Sequence, residues 1–384
     1  MTTTTSVNGR IVLLLAHIAG MIDMVALPVW VGAALIGQYK FSPQQAGGMV
    51  TLYLLGAVLA SAFFASRFTR FSARLYSTVG YAVSCLAFLG LTQTRDLSAM
   101  MVLHAIAGLA AGTGLSFTHG TIGRSANPHR LFATVGLGLC ISAILFLGSS
   151  QSLIPQSNGT ALFAMFAAIM AVAAVACVLG FPALDNIAAN SSGAKGSLSA
   201  PAWLVIFGVI CMALNQAMLF SFVERIGADR GYGDKVTGVL IALGFINLIP
   251  PILAGVLQNR LPARSVLIAG PIAQAILASL IIFTSEFSVY AFAASIFVAV
   301  MIFTHTFAFG VLTQLDPSGR AAAATAATLM LGAAIGPILG GVLIQQVGYP
   351  ALGIAVVLVS AIAVVFFARA CSGLQSPATV MQKI

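Results

Sequence analysis

Of the chain's 384 residues, 60% are hydrophobic and 7% are charged, and the mean hydropathy is +1.05. A soluble domain carries about 25% charged residues, so this composition excludes a water-dissolved globular protein and points to a chain solvated by lipid. The net charge of +9 would suit nucleic acid, but the basic residues fall in short breaks between apolar runs; membrane topology accounts for them and no nucleic-acid partner is expected.

The opening MTTTTSVNGR carries one basic residue. The apolar run after it is too long for a secretory leader and has no small-residue cleavage site, so it is expected to be kept as a span. Apolar runs then follow at 11–36, 46–66, 75–93, 97–122, 131–154, 161–184, 202–224, 236–258, 265–284, 288–314, 321–347 and 351–370. Each can cross about 30 Å of hydrocarbon as a helix. They are continuous rather than short and alternating, which excludes a β-barrel. The expected fold is therefore all-α, with twelve transmembrane helices. Cys85, Cys140, Cys177, Cys211 and Cys371 lie in or at the ends of these runs, where they read as small buried hydrophobes rather than a disulfide framework.

Twelve spans put both termini on one side. That side receives twelve Lys and Arg, including Arg67, Arg70, Arg74, Arg124 and Arg130; the other receives Lys40, Arg95, Arg225, Arg230 and Lys235. The positive-inside rule makes the richer side cytoplasmic, as expected for a multi-pass protein of a bacterial-type inner (plasma) membrane. Glu224, at the end of the seventh run, and Asp229, beyond it, are expected on the opposite side.

The chain also resembles itself at half its length. Gly48 to Arg70 matches Gly238 to Arg260 at an offset of 190 residues, and Arg130 matches Arg320 at the same offset. The one long polar segment, DNIAANSSGAKGSLSAP at 185–201, reads as a flexible cytoplasmic linker. The expected organisation is a six-helix half at 1–184, the linker, and a second six-helix half at 202–384, an arrangement suited to rocking about a midplane site.

One charge interrupts the first span: Asp23, in MIDMVALPVW, is the only formally charged side chain between Arg10 and Lys40. Counting along a helix places it near mid-membrane, where a carboxylate costs roughly 2.5–3.5 kcal/mol on insertion scales. It is therefore a candidate proton carrier; the alternative is a neutral acid bonded to a neighbouring helix.

Three stretches together resemble the major facilitator superfamily. FFASRFTRFSARLY (63–76) resembles its signature loop between the second and third helices. Arg67, Arg70 and Arg74 keep the basic character, Ser66 and Ser72 replace the usual glycines, and the acidic member is absent, which implies a weakened or differently built cytoplasmic latch. GAAIGPILGG (332–341) matches the glycine–proline motif of drug/proton antiporters, but on the eleventh helix rather than the fifth. Gly332, Gly336 and Gly340 make a small-residue face for close packing, and Pro337 kinks the helix, so packing and gating are both open. DMVALPVW (23–30) is similar to the first helix of drug/proton antiporters, in which an acid before proline carries the coupled proton.

The resemblance implies a central cavity lined by the first, fourth, seventh and tenth helices. Polar candidates there are His17 and Asp23, His104, Asn215 and Gln216, and Thr304, His305 and Thr306. Asp23 and His305 are the proton-coupling candidates; Trp30, His104, Asn215, Gln216 and Thr304 are the substrate-binding ones, each with a packing alternative, and Tyr53 is a further possible cavity aromatic. No Lys or Arg lies deep in these spans, so amphipathic, neutral or cationic molecules fit better than anions. There is no phosphate loop, His-Glu-x-x-His spacing or credible Ser/His/Asp set, so no enzyme, cofactor or metal is expected. The function expected is proton-coupled export of a small amphipathic molecule by a working monomer, with protons and membrane lipids as its other partners. Proton-coupled uptake of an organic acid or sugar is the alternative; a membrane-embedded enzyme or a receptor is the remaining class.

Overall fold

The computed structural model describes residues 3–183, 198–258, 260–316 and 320–373, with backbone alone at 129 and 320–329. Nearly all of the expected linker lies outside these residues. Among them run twelve long helices: α1 (Val7–Gln38), α2 (Pro43–Ala65), α3 (Ala73–Leu91), α4 (Leu97–Gly123), α5 (Pro128–Gln156), α6 (Thr160–Gly180), α7 (Ala200–Asp229), α8 (Lys235–Leu257), α9 (Ala263–Phe283), α10 (Phe287–Leu315), α11 (Arg320–Gln346) and α12 (Tyr349–Ala370). Leu86, Leu145, Leu179 and Ile252 are exposed, as a lipid-facing surface requires.

The helices begin where short polar side chains can satisfy the first free N–H groups. Ser6, Ser72, Asp96, Asn127 and Ser199 each accept from the backbone three residues on. Ser42 and Gln45 form a reciprocal capping box at the start of α2. Ser72, at a usual glycine position of the signature loop, therefore has its own local task.

Three helices are not uniform. Pro28 lies inside α1, and beyond it residues Val29–Gln38 take the wider π-helical winding. A proline has no N–H for the carbonyl four residues back, so a change of hydrogen-bond register there has a local cause. α7 breaks at Ser221 and Phe222 and resumes as Val223–Asp229, and α8 divides at Asn247 and Leu248. The continuation of α7 corrects the expected end of the seventh span at residue 224: the helix runs on to Asp229.

α1 packs on α5 and α6, α2 on α4, and α3 on α4 and α6; α7 packs on α11 and α12, and α9 on α10 and α12. The glycine row of α11 explains its closeness to α7. A methyl at Gly332 would lie 2.5 Å from the Ile210 carbonyl oxygen, at Gly336 2.6 Å from the Met218 nitrogen, and at Gly340 2.7 Å from the Met218 oxygen.

With the helices before residue 185 called the first half of the chain and those after residue 198 the second, contacts between the two gather on the side opposite Val7. There the start of α2 meets the end of α11: Ile338 N–H donates to Thr51 Oγ1 (3.1 Å), and Gln44 N–H donates to Gln345 Oε1 (3.2 Å). Gly47 lies against the Pro337 carbonyl, and Gly341 against that of Pro43. α5 and α8 meet nearer mid-depth, at Ile144 against Gly244. We call this side, which carries residues 39–42 and 230–234, the loop side.

Candidate transport site

Between the halves at mid-depth is a cavity of about 190 Å³ lined by Met24 and Leu27 of α1, Ala213, Gln216 and Ala217 of α7, Met301, Ile302 and His305 of α10, and Ala333 of α11. Its wall is apolar except for the amide and the imidazole. Gln216 Oε1 and His305 Nε2 have no hydrogen-bond partner among protein atoms. The His305 ring stands edge-on to Phe309 with centroids 4.3 Å apart, so its orientation is set from within its own helix. Gln216 and His305 are thus the expected site residues that the fold brings together. An amide and an imidazole can each donate or accept, so they suit a ligand with hydroxyl or carbonyl groups and need no opposite charge.

Asp23 does not line this cavity. It is 3% exposed, its Oδ1 lacks a protein partner, and it lies in electrostatic range of Tyr53 on α2. Two turns further along α1, Trp30 is fully buried. Its indole stacks on His104 of α4 (centroids 5.5 Å, 24°) and meets Tyr53 edge-on (5.1 Å, 72°), with Phe166 at 4.8 Å. Within this cluster His104 Nδ1 lies 2.7 Å from the Met100 carbonyl, so Nδ1 carries the proton and Nε2 is left as an acceptor. Trp30 Nε1, Tyr53 Oη and His104 Nε2 also have no protein partner. Trp30, Tyr53 and His104 therefore build a polar–aromatic core inside the first half, one wall back from the cavity they were expected to line.

In the second half, Asn215 is fully buried, and its Nδ2 donates to Ser360 Oγ (2.9 Å) and the Val356 carbonyl (3.2 Å) of α12. It ties two helices of one half together. Thr304 Oγ1 donates to the Val300 carbonyl (2.8 Å), and the side chain fills the space at Gly270 of α9. Thr306 donates to the Ile302 carbonyl (2.9 Å) and is exposed. Successive residues on a helix point about 100° apart, so Thr304, His305 and Thr306 form no common stripe.

The signature-loop arginines serve helix ends. Arg67 donates to the Phe63 carbonyl (3.1 Å) and lies 4.2 Å over the Phe63 ring; Arg74 donates to the Val178 carbonyl at the end of α6. Cations at helix C-termini are favourable, and both contacts stay inside the first half. Arg70 is exposed in the turn between them.

Two features escaped the sequence. His17 Nδ1 and His119 Nε2 lie 2.9 Å apart, joining α1 to α4; with 102 residues between them, no spacing rule pairs them. Glu224 is buried against Gly32 of α1; only a longer seventh span could have hinted at this.

A profile of the Major Facilitator Superfamily matches residues 12–325 and, in a second alignment, 205–379. The chain belongs to the Major Facilitator Superfamily. It is a multi-pass membrane transporter of this superfamily. Among solved structures it is similar to a D-xylose-proton symporter, at TM-score 0.70 and 13% identity over 93% of this chain and 96% of that one. It is similar also to the nucleoside transporter NupG, at TM-score 0.70 and 15% identity over 96% and 99%. A third is the xylose transporter XylE from E. coli in an inward-open conformation, at TM-score 0.67 and 16% identity over 92% and 94%. Likeness at these identities shows the superfamily fold alone. No curated protein matches the sequence significantly.

Proposed function

We propose that this superfamily transporter moves a small, neutral, amphipathic solute by proton-coupled alternating access, with uptake as the direction. The carrying observation is the cavity itself: an apolar wall, one amide and one imidazole at the same depth, and no charged residue in its lining. Gln216 and His305 hold the solute's hydroxyl or carbonyl groups, and Met24, Leu27 and Met301 cover its apolar body. A cationic solute would find no carboxylate on this wall, which narrows the substrate class expected from the sequence.

Asp23 is the proposed proton site. A carboxylate there would be an unpaired buried charge, whereas the neutral acid fits the surroundings of Oδ1. Met24 follows it directly on α1, so a change of charge at Asp23 shifts the helix that forms one wall of the cavity. His305 can take or give a proton on the substrate side. The termini are placed in the cytoplasm of a bacterial-type inner membrane by the asymmetry of Lys and Arg, and the two six-helix halves around the 185–201 linker rock as units.

Uptake is preferred to export because a protein of similar fold is a D-xylose-proton symporter, while the antiporter-like motif on α11 has a packing explanation against α7. The test is ligand-dependent thermal stabilisation across a panel of neutral sugars, nucleosides and amphipathic drugs, followed by flux in oriented proteoliposomes under an imposed pH gradient. Accumulation with the proton gradient supports the reading. Movement of solute against the proton flow would establish export instead.

A further inference from the structure

Glu224 lies outside the transport cavity and the Trp30–Tyr53–His104 core, and its surroundings are unusual for a carboxyl. It sits on the terminal segment of α7, 9% exposed, and Oε2 has no partner among protein atoms. That oxygen is aimed at α1 of the other half. A methyl at Gly32 would run into Oε2 and lie 3.0 Å from the Arg225 nitrogen. The carboxyl therefore fills the seam between the halves on the loop side.

The charged and titratable groups around it are all committed elsewhere. Arg225 pairs with Asp229 at 2.7 Å, and Tyr349 of α12 donates to the same Asp229 at 2.7 Å. Arg230 donates to the Ile281 and Ile282 carbonyls at the end of α9. Tyr290 of α10 donates to the Val223 carbonyl (2.6 Å), and Tyr232 to that of Ser285 (2.8 Å). Lys235 of α8 lies 5.3 Å over the Phe287 ring, and Lys40 reaches the Gly37 carbonyl. The facing segment of α1, Val29–Gln38, carries no ionisable side chain. An ionised Glu224 would thus be a charge sealed between two helices whose neighbouring cation, Arg225, is already paired with Asp229, which is strongly unfavourable; the neutral acid is not penalised in this way.

We propose that Glu224 is a second proton-binding carboxyl of this transporter: its neutral form seals α7 against α1, and its ionisation on hydration releases the loop side. The inference rests on the alternating-access reading but not on Asp23. The sealed state holds one more proton than the parted one, so raising pH moves the equilibrium towards the parted state. The shift approaches ~tenfold per pH unit across the window in which the carboxyl titrates.

Pulsed electron resonance between spin labels at Ser98→Cys and Gln346→Cys, both exposed on the loop side and in opposite halves, reads this directly. The labels go into a cysteine-free background in lipid nanodiscs. The expected result is a short distance at acidic pH and a growing longer population at alkaline pH. Glu224→Gln, which keeps shape without charge, holds the short distance throughout. Gly32→Ala, which pushes against the carboxyl, lengthens the distance at every pH. A Glu224→Gln distance that still follows pH overturns the proposal, as does a parent distance indifferent to pH or a Gly32→Ala protein that stays sealed. Loss of the response in Asp23→Asn alone assigns the proton to Asp23, leaving the transport reading intact and this one refuted.

Discussion

Gly47→Ala is a small change with a calculable consequence. The added methyl would lie 2.7 Å from the Pro337 carbonyl carbon, 3.2 Å from Ile338 Cα, and closer still to the Pro337 oxygen. Carbon atoms settle at about 3.5–4.0 Å, so α2 and α11 have to separate by ~1 Å. Every atom met is backbone, and no rotamer change relieves the clash. Overpacking of this kind costs about 1–3 kcal/mol. It acts only where the halves touch, so it destabilises the sealed loop side relative to the parted state and shifts that equilibrium about 5–150-fold. Hydrogen–deuterium exchange in nanodiscs checks this: peptides covering 39–50 and 336–349 exchange faster in the variant, while those from α3 and α9 do not. Gly123→Ala, where a methyl meets nothing within 4 Å, is the control and matches the parent. Unchanged exchange in Gly47→Ala would refute the claim that this contact holds the loop side closed.

Asn215→Ala lowers the unfolding temperature, by a loss of about 1–2 kcal/mol for its interhelical hydrogen bonds, while ligand-dependent stabilisation persists; loss of binding with unchanged stability would return Asn215 to the substrate site. Gln216→Ala and His305→Ala each weaken solute binding roughly 3–10-fold, the worth of one neutral hydrogen bond, as read by titration calorimetry with whichever solute stabilises the parent. Thr304→Val binds as the parent does, because its hydroxyl is bonded within its own helix. Trp30→Ala loses about 3–5 kcal/mol of stability as a large core truncation, measured by thermal unfolding; a fully stable variant with weakened binding would place the indole in the cavity after all.

Spans, their number and the glycine face of α11 were legible because they depend on hydrophobicity and local spacing. Helix count follows from run length, and residues four apart share a helix face whatever lies opposite. Which way that face points is a tertiary matter. Asp23, Trp30 and His104 could be assigned a depth by counting, yet the rotation of α1 and α4, which packs Trp30 against Tyr53 and Phe166, turns the ring pair away from the cavity. Gln216 and His305 reach it, whereas their sequence neighbours Asn215 and Thr304, about 100° around the same helices, are spent on packing. In the sequence the seventh span ends at Glu224 because the apolar run stops there, and only the partner surface at Gly32 reveals that this carboxyl is buried. The His17–His119 contact had no local signal at all.

The central claim is that a proton at Asp23 drives solute through a midplane cavity between two alternating halves. The most direct measurement is solute flux into proteoliposomes under an imposed pH gradient, compared between the parent and Asp23→Asn, with solute exchange at equal pH measured alongside. The account predicts that Asn at this position abolishes gradient-driven accumulation while exchange continues. Undiminished accumulation in that variant would contradict it.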